Sequence, residues 1–73
     1  GVPSGPDPNK AYQDGLEALQ AADYRKAERS FKVVLGAVPK NAEANYYMGM
    51  AKAGAGKHDD AVKYLRKAVK YDE

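Results

Sequence analysis

The sequence has no cysteine, isoleucine, threonine or tryptophan, and only one histidine. Without cysteine there is no disulfide and no thiolate metal site. A lone imidazole, His58, cannot build a histidine metal cluster. Valine is the only β-branched residue and stands against thirteen alanines, a vocabulary that suits helices and starves a sheet. No apolar run approaches the ~18 residues of a membrane span. No secretory signal is visible, although a chain that opens Gly1-Val2-Pro3-Ser4-Gly5-Pro6 leaves its parent protein's start undefined. Charge of one sign is also missing. Twelve basic residues against ten acidic ones give +2, which supplies no strong field for nucleic acid or a membrane surface.

With 73 residues the chain makes one small domain or a piece of a larger one. A chain of this size buries only about 60% of its unfolded surface. Stability must therefore come from regular, locally consistent packing, from association, or from further sequence. Residues 1–6 read as a flexible lead-in or an expression leftover. Four helical segments follow. The first runs from about Pro8 to Ala22, with Asp7 as N-cap, proline at the first helical position, and Tyr12, Leu16 and Leu19 on one face. The second runs from about Tyr24 to Val38 with Ala27, Phe31, Val34, Leu35 and Val38 on one stripe, and ends at Pro39. The third starts at Asn41, another good cap, and decays into Ala53-Gly54-Ala55-Gly56. The fourth runs from about His58 to Tyr71, with Ala61, Val62, Leu65, Ala68 and Val69 on one face. Its first turn is acidic and its last turn basic, which suits the helix dipole. The links are short, so consecutive helices are antiparallel and form two hairpins in series.

The hairpins repeat. Laying Asn41 on Asp7 sets cap on cap and Tyr46 on Tyr12, Gly49 on Gly15, Ala61 on Ala27 and Leu65 on Phe31. A small residue falls midway along each first helix (Gly15, Gly49) and another early in each second helix (Ala27, Ala61). Antiparallel helices approach closely only where side chains are this small. The large apolar residue four positions later, Phe31 or Leu65, fills the adjoining space.

In these residues the sequence resembles the tetratricopeptide repeat, a helical hairpin of about 34 residues. The motif residues are Gly15, Ala27, Phe31, Val34 and Pro39 in residues 7–41, and Gly49, Ala61, Leu65 and Ala68 in residues 42–73, with Glu73 at the place of the final proline. Ala22-Asp23-Tyr24 looks like the family's Gly-Asp-Tyr turn, with Gly56-Lys57-His58 a looser version. The resemblance implies an all-α fold of two antiparallel helix-turn-helix hairpins stacked as a short right-handed solenoid. Some positions depart from the family pattern. Ala11, Asn45, Asp14, Ala18 and Lys52 stand where it usually carries bulky or apolar residues, so the first helix of each unit is expected to be thinly packed.

No catalytic grouping is visible. Ser4 and Ser30 have no histidine at helical spacing. Asp59-Asp60 reads as a capping pair at a helix start. His58 matches Tyr24 of the other unit and is expected to be a half-buried packing residue. Gly54-Ala55-Gly56-Lys57 lacks the spacing and preceding strand of a phosphate loop. The basic residues Arg25, Lys26, Arg29 and Lys32, with Lys63, Arg66, Lys67 and Lys70, are interrupted by acids and read as a solvated outer face rather than a nucleic-acid surface. No cofactor is expected.

The aromatic cluster is the best binding candidate. The resemblance implies that first helices line a concave groove, here through Asn9, Tyr12, Gln13, Leu16, Leu19, Gln20, Glu43, Tyr46, Tyr47, Met50, Ala53 and Gly54. Of these, Tyr12, Gln13, Leu16, Tyr46, Tyr47 and Met50 are the expected protein-binding residues, since Tyr and Met bury area while tolerating water. Some family members clamp acidic C-terminal tails with Lys and Asn side chains. Tyr12, Leu16 and Tyr47 occupy those places here, so such tails are not expected to bind. The leading expectation is a non-catalytic module that binds a protein or peptide, without nucleic acid and without membrane insertion. The alternative is an assembly element that stacks on further repeats or on itself. The fourth helix is expected to have no capping helix after it, so that Leu65 faces its own hairpin and part of Val62 and Val69 stays open. Met48 and Ala55 are expected to extend that patch. Self-association through the third and fourth helices, and a parent protein continuing past Glu73, follow as expectations.

Overall fold

The computed structural model describes residues 5–72; Gly1–Ser4 of the lead-in and Glu73 lie outside the described residues. Four helices follow one another: α1 Pro8–Gln20, α2 Tyr24–Ala37, α3 Ala42–Gly54 and α4 His58–Tyr71. They are the four that the periodicity predicts, with α1 and α2 ending slightly earlier. The N-caps are chemical. Asp7 Oδ1 accepts from the Asn9 amide at 2.9 Å and Asn41 Oδ1 from the Ala44 amide at 2.8 Å, satisfying donors with no partner inside the helix. Asp23 holds the Lys26 amide more loosely, at 3.3 Å. Lys57, its counterpart in the second hairpin, makes no side-chain cap.

The turns inside the two hairpins have the same construction. The Asp23 amide reaches back to the Ala18 carbonyl at 2.8 Å, and the Lys57 amide to the Lys52 carbonyl at 2.9 Å. Each bond closes around one left-handed residue, the usual device for ending a helix. That residue is Ala22 (φ 58°) in the first hairpin and Gly56 (φ 81°) in the second. Glycine adopts this conformation freely, whereas alanine pays for it in steric strain.

Small residues set the distance between paired helices. A Cβ on Gly15 would stand 2.7 Å from the Phe31 ring, and one on Gly49 would stand 2.8 Å from the Leu65 side chain. Ala27 is fully buried and Ala61 nearly so. The main core lies where α3 packs against the first hairpin: Ala11, Ala18, Ala27, Phe31 and Val34 meet Ala44, Met48 and Ala51. In the helix packing, α3 touches α1, α2 and α4, whereas α4 lies beside α3 alone.

Three expectations change. Met48 does not extend the open patch: it is 3% exposed within the core, because α3 turns it toward α2. The first helices are not loose, since Ala11 and Ala18 are buried against the core. Asn45, in place of a bulky residue, is buried and donates through Nδ2 to the carbonyls of Pro39 (3.2 Å) and Asn41 (2.9 Å), tying α3 to the loop before it. His58 is exposed rather than half-buried. Its counterpart Tyr24 is half-buried because its ring lies over Gly54 of α3, where any Cβ would collide with it. Among the described residues, no helix comparable to α3 lies beside His58.

Candidate interaction surface

The aromatic residues of α1 and α3 form one connected group over the core. Tyr12 on α1 meets Phe31 on α2 edge-on at 5.9 Å between ring centres, and meets Tyr47 on α3 edge-on at 6.0 Å. Phe31 and Tyr47 stack at 5.6 Å, and Tyr46 leans on Tyr47 at 5.3 Å. Such pairs are worth about 0.5–1.5 kcal/mol beyond the area they bury. Phe31 is wholly buried and forms the floor, Tyr12 and Tyr47 are half-buried, and Tyr46 is 46% exposed.

The other expected binding residues divide. Leu16 is half-buried against the same core. Gln13 is exposed and Met50 is 44% exposed, so both side chains are available to solvent. The structure therefore joins Tyr12, Tyr46 and Tyr47 through their rings, seats Leu16 on the same core, and leaves Gln13 and Met50 on the solvent side.

One polar contact fixes the group. The Tyr12 hydroxyl donates to Glu43 Oε2 at 2.8 Å, linking α1 to the first turn of α3. Burial, and then the hydrogen bond to the Glu43 carboxylate and its charge, push the Tyr12 phenol up to about 12 from an ordinary 10.0. It stays a proton donor at neutral pH, with an aromatic body on the core and a polar tip at the rim.

A second contact lies away from these rings. Glu28 on α2 faces Lys52 of α3 at 3.2 Å and Lys57 of the following turn at 3.2 Å. Burial acts to raise the Glu28 carboxyl, but hydrogen bonding and charge from the two ammonium groups outweigh it and hold the group below its ordinary 4.5. This clamp joins the two hairpins. Each member shows a different signal in the sequence (an acid in a basic strip, a departure from the repeat pattern, a loop lysine), and only pairing α2 with α3 brings them together.

Beside Tyr46 and Tyr47 opens a cavity of about 430 Å³ bounded by Ala42, Glu43, Leu65, Ala68, Val69 and Asp72. The α4 residues of its wall are absent from the expected binding set. The signal that finds them is the repeat itself, since Leu65, Ala68 and Val69 lie on Phe31, Val34 and Leu35 when the hairpins are superposed in sequence.

Compared with known families, residues 18–73 match the tetratricopeptide repeat. The chain belongs to the tetratricopeptide repeat family. The match runs from the last turn of α1 through α4, and the four helices are those of two tandem repeats. No curated protein and no solved structure matches the chain. Tetratricopeptide repeats are in general non-catalytic protein–protein interaction modules. Among the described residues no helix is long and apolar enough to cross a membrane, and no three His, Cys, Asp or Glu side chains converge to hold a metal.

Proposed function

We propose that this tetratricopeptide repeat chain binds a segment of a partner protein in the groove lined by α1 and α3, and that it does so without catalysis. The observation that carries this reading is the ring group of Tyr12, Tyr46 and Tyr47 over Phe31. It offers an apolar, preorganised surface with hydroxyl tips, and its rings are already held by one another and by Glu43, so little ordering is lost on binding. Leu16 and Met50 extend the apolar contact, and Gln13 supplies a polar rim. Of these side chains none is cationic, and the nearest charge, Glu43, is acidic. The groove therefore favours an apolar segment over an acidic tail. The test is a binder selected from a displayed peptide library and measured by calorimetry. Tyr47→Ala and Met50→Ala should each weaken it by about 1–3 kcal/mol with helicity retained. An acidic peptide ending in a free carboxylate should show no binding. Equal affinity for both variants and the wild type would overturn the assignment of this surface.

A second reading, an assembly element that stacks on itself or on further repeats, is favoured by the exposure of Val62 (46%) and Val69 (77%) on α4. Light scattering across concentration separates the two: a monomer supports groove binding and a dimer supports assembly.

A further inference from the structure

Lys52 stands on α3 where the first unit has Ala18 and the family pattern an apolar residue, and nothing in the groove uses it. Its side chain is only 18% exposed. It lies in a crevice. The helices α2 and α4 both pack on α3 but not on each other. Between them opens a cavity of about 300 Å³, bounded by Glu28, Arg29 and Lys32 of α2, Met48 and Lys52 of α3, and Tyr64 of α4. That volume reaches the range of ligand pockets, roughly 300–1,000 Å³. The crevice shares no wall residue with the ring group of Tyr12, Tyr46 and Tyr47.

Cations outnumber acids around it. Lys52 and Lys57 share the single Glu28 carboxylate, each at 3.2 Å, so one positive charge of that clamp is left over. Arg29 and Lys32 are exposed and make no ion pair among the described residues. Lys67 stands over the Tyr64 ring at 5.3 Å and brings a further cation to the α4 wall. The acids nearby are engaged or set apart. Asp14, beyond Arg29, pairs with Lys10 at 3.6 Å, and Asp59 and Asp60 lie in the first turn of α4. The chain's net +2 hides this division. The helices α2 and α4 carry eight basic side chains against three acidic ones, whereas α1 and α3 carry two against three.

The walls call for an anion on an apolar stem. Met48 and the half-buried Tyr64 ring give an apolar floor, and a thioether beside a ring receives another ring well. Arg29, Lys32 and Lys52 supply only hydrogen-bond donors. A carboxylate brings one charge and two oxygens to them. A phosphate monoester brings nearly two charges and three oxygens, enough to meet a guanidinium and an ammonium together. A nucleic-acid backbone spreads single charges along a track, whereas these cations frame one crevice.

We propose that the crevice between α2 and α4 receives a phosphorylated aromatic side chain, a phosphotyrosine, of a partner protein. Its phosphate accepts from Arg29 and Lys32 at the rim and from Lys52, which has donors to spare beside Glu28. Its ring lies on Tyr64 and Met48. The site does not rest on the groove reading, and the two have no residue in common.

The probe is a short alanine peptide, blocked at both ends, with phosphotyrosine at its centre. It is titrated into the isotope-labelled full chain and followed by NMR. Three control peptides carry tyrosine, phosphoserine or glutamate at the centre. The phosphotyrosine peptide should shift Arg29, Lys32, Met48, Lys52 and Tyr64 saturably and leave Tyr12, Tyr46 and Tyr47 unmoved. The phosphoserine peptide should bind several-fold more weakly, and the tyrosine and glutamate peptides should not bind. Arg29→Gln and Lys32→Gln should each weaken binding about fivefold or more. Helicity should be unchanged in both, since neither side chain holds an ion pair of the fold. The proposal is overturned if the phosphotyrosine peptide fails to bind at millimolar concentration, or if the phosphoserine or glutamate peptide binds as well. It is also overturned if both variants bind like the wild type, or if the shifts spread evenly over Arg25, Lys26 and Lys63, which would report diffuse charge attraction. A DNA oligonucleotide giving the same shifts at equal phosphate concentration would overturn it too, by naming nucleic acid as the occupant.

Discussion

Ala22 and Gly56 occupy the same left-handed position in two successive turns, at φ 58° and 81°. The hydrogen bonds that close around them are the same, so the turn imposes the conformation whatever residue sits there. An L-residue held in that region costs about 1–2 kcal/mol, part of which glycine returns through its freer unfolded chain. Ala22→Gly should therefore stabilise the protein by about 0.5–1 kcal/mol, read as a higher urea midpoint at unchanged m-value. A loss of stability would contradict the shared turn geometry.

The Glu28 clamp gives stability a dependence on acid. Its carboxyl is held below 4.5 in the folded chain, so the stability it contributes is present above that value and fades as pH falls through the folded value. Glu28→Gln leaves Lys52 largely buried without its counter-charge and should cost about 1 kcal/mol at neutral pH. Thermal melts of wild type and variant should converge on acidification. A constant gap down to low pH would show that the side chain acts by packing alone.

Tyr12 gives the opposite dependence at the alkaline end. Its folded value of about 12 lies above the ordinary 10.0. Its contribution is fully present below 10 and is lost as pH rises toward 12. Ultraviolet titration should show a tyrosine ionisation step at about 12, and Tyr12→Phe should remove that step. Glu43→Gln should lower the late step. If Tyr12→Phe removes no late step, the Tyr12–Glu43 bond is not formed.

The small residues that set the hairpins admit no larger side chain. Ala27→Leu should force α1 and α2 apart and cost about 1–3 kcal/mol. Ala61→Leu should do the same to α3 and α4. Gly15→Ala should cost stability although alanine is the better helix former, because its Cβ would meet the Phe31 ring. Unchanged melts for Ala27→Leu and Ala61→Leu would contradict the packing of both hairpins.

Most of the fold was legible because local signals agree. Asp7 and Asn41 act as caps, and Gly15 and Gly49 face Phe31 and Leu65 as their spacing predicts. Contacts between hairpins were harder to read, since nothing local announces which element a residue faces. The position of Met48 in the sequence points to an edge, yet the side chain lies in the core, because α3 is covered on two sides. Asn45 departs from the bulky residue of the family pattern, yet its amide serves two loop carbonyls. His58 copies Tyr24 in sequence position and not in burial, because the partner glycine belongs to the next first helix. For the surface, the resemblance to the family names Tyr12, Tyr46 and Tyr47, whose rings the structure brings into contact, whereas the Tyr12–Glu43 hydrogen bond and the α4 wall of the cavity show only with the helices in place.

On the proposed reading, the ring surface of α1 and α3 receives a partner segment. Chemical-shift mapping of a library-selected peptide on the isotope-labelled chain tests it most directly. Saturable shifts are expected at Tyr12, Leu16, Tyr46, Tyr47 and Met50, with the outward residues Arg25, Lys26, Lys63 and Lys67 unmoved. Shifts confined to those outward residues would contradict it.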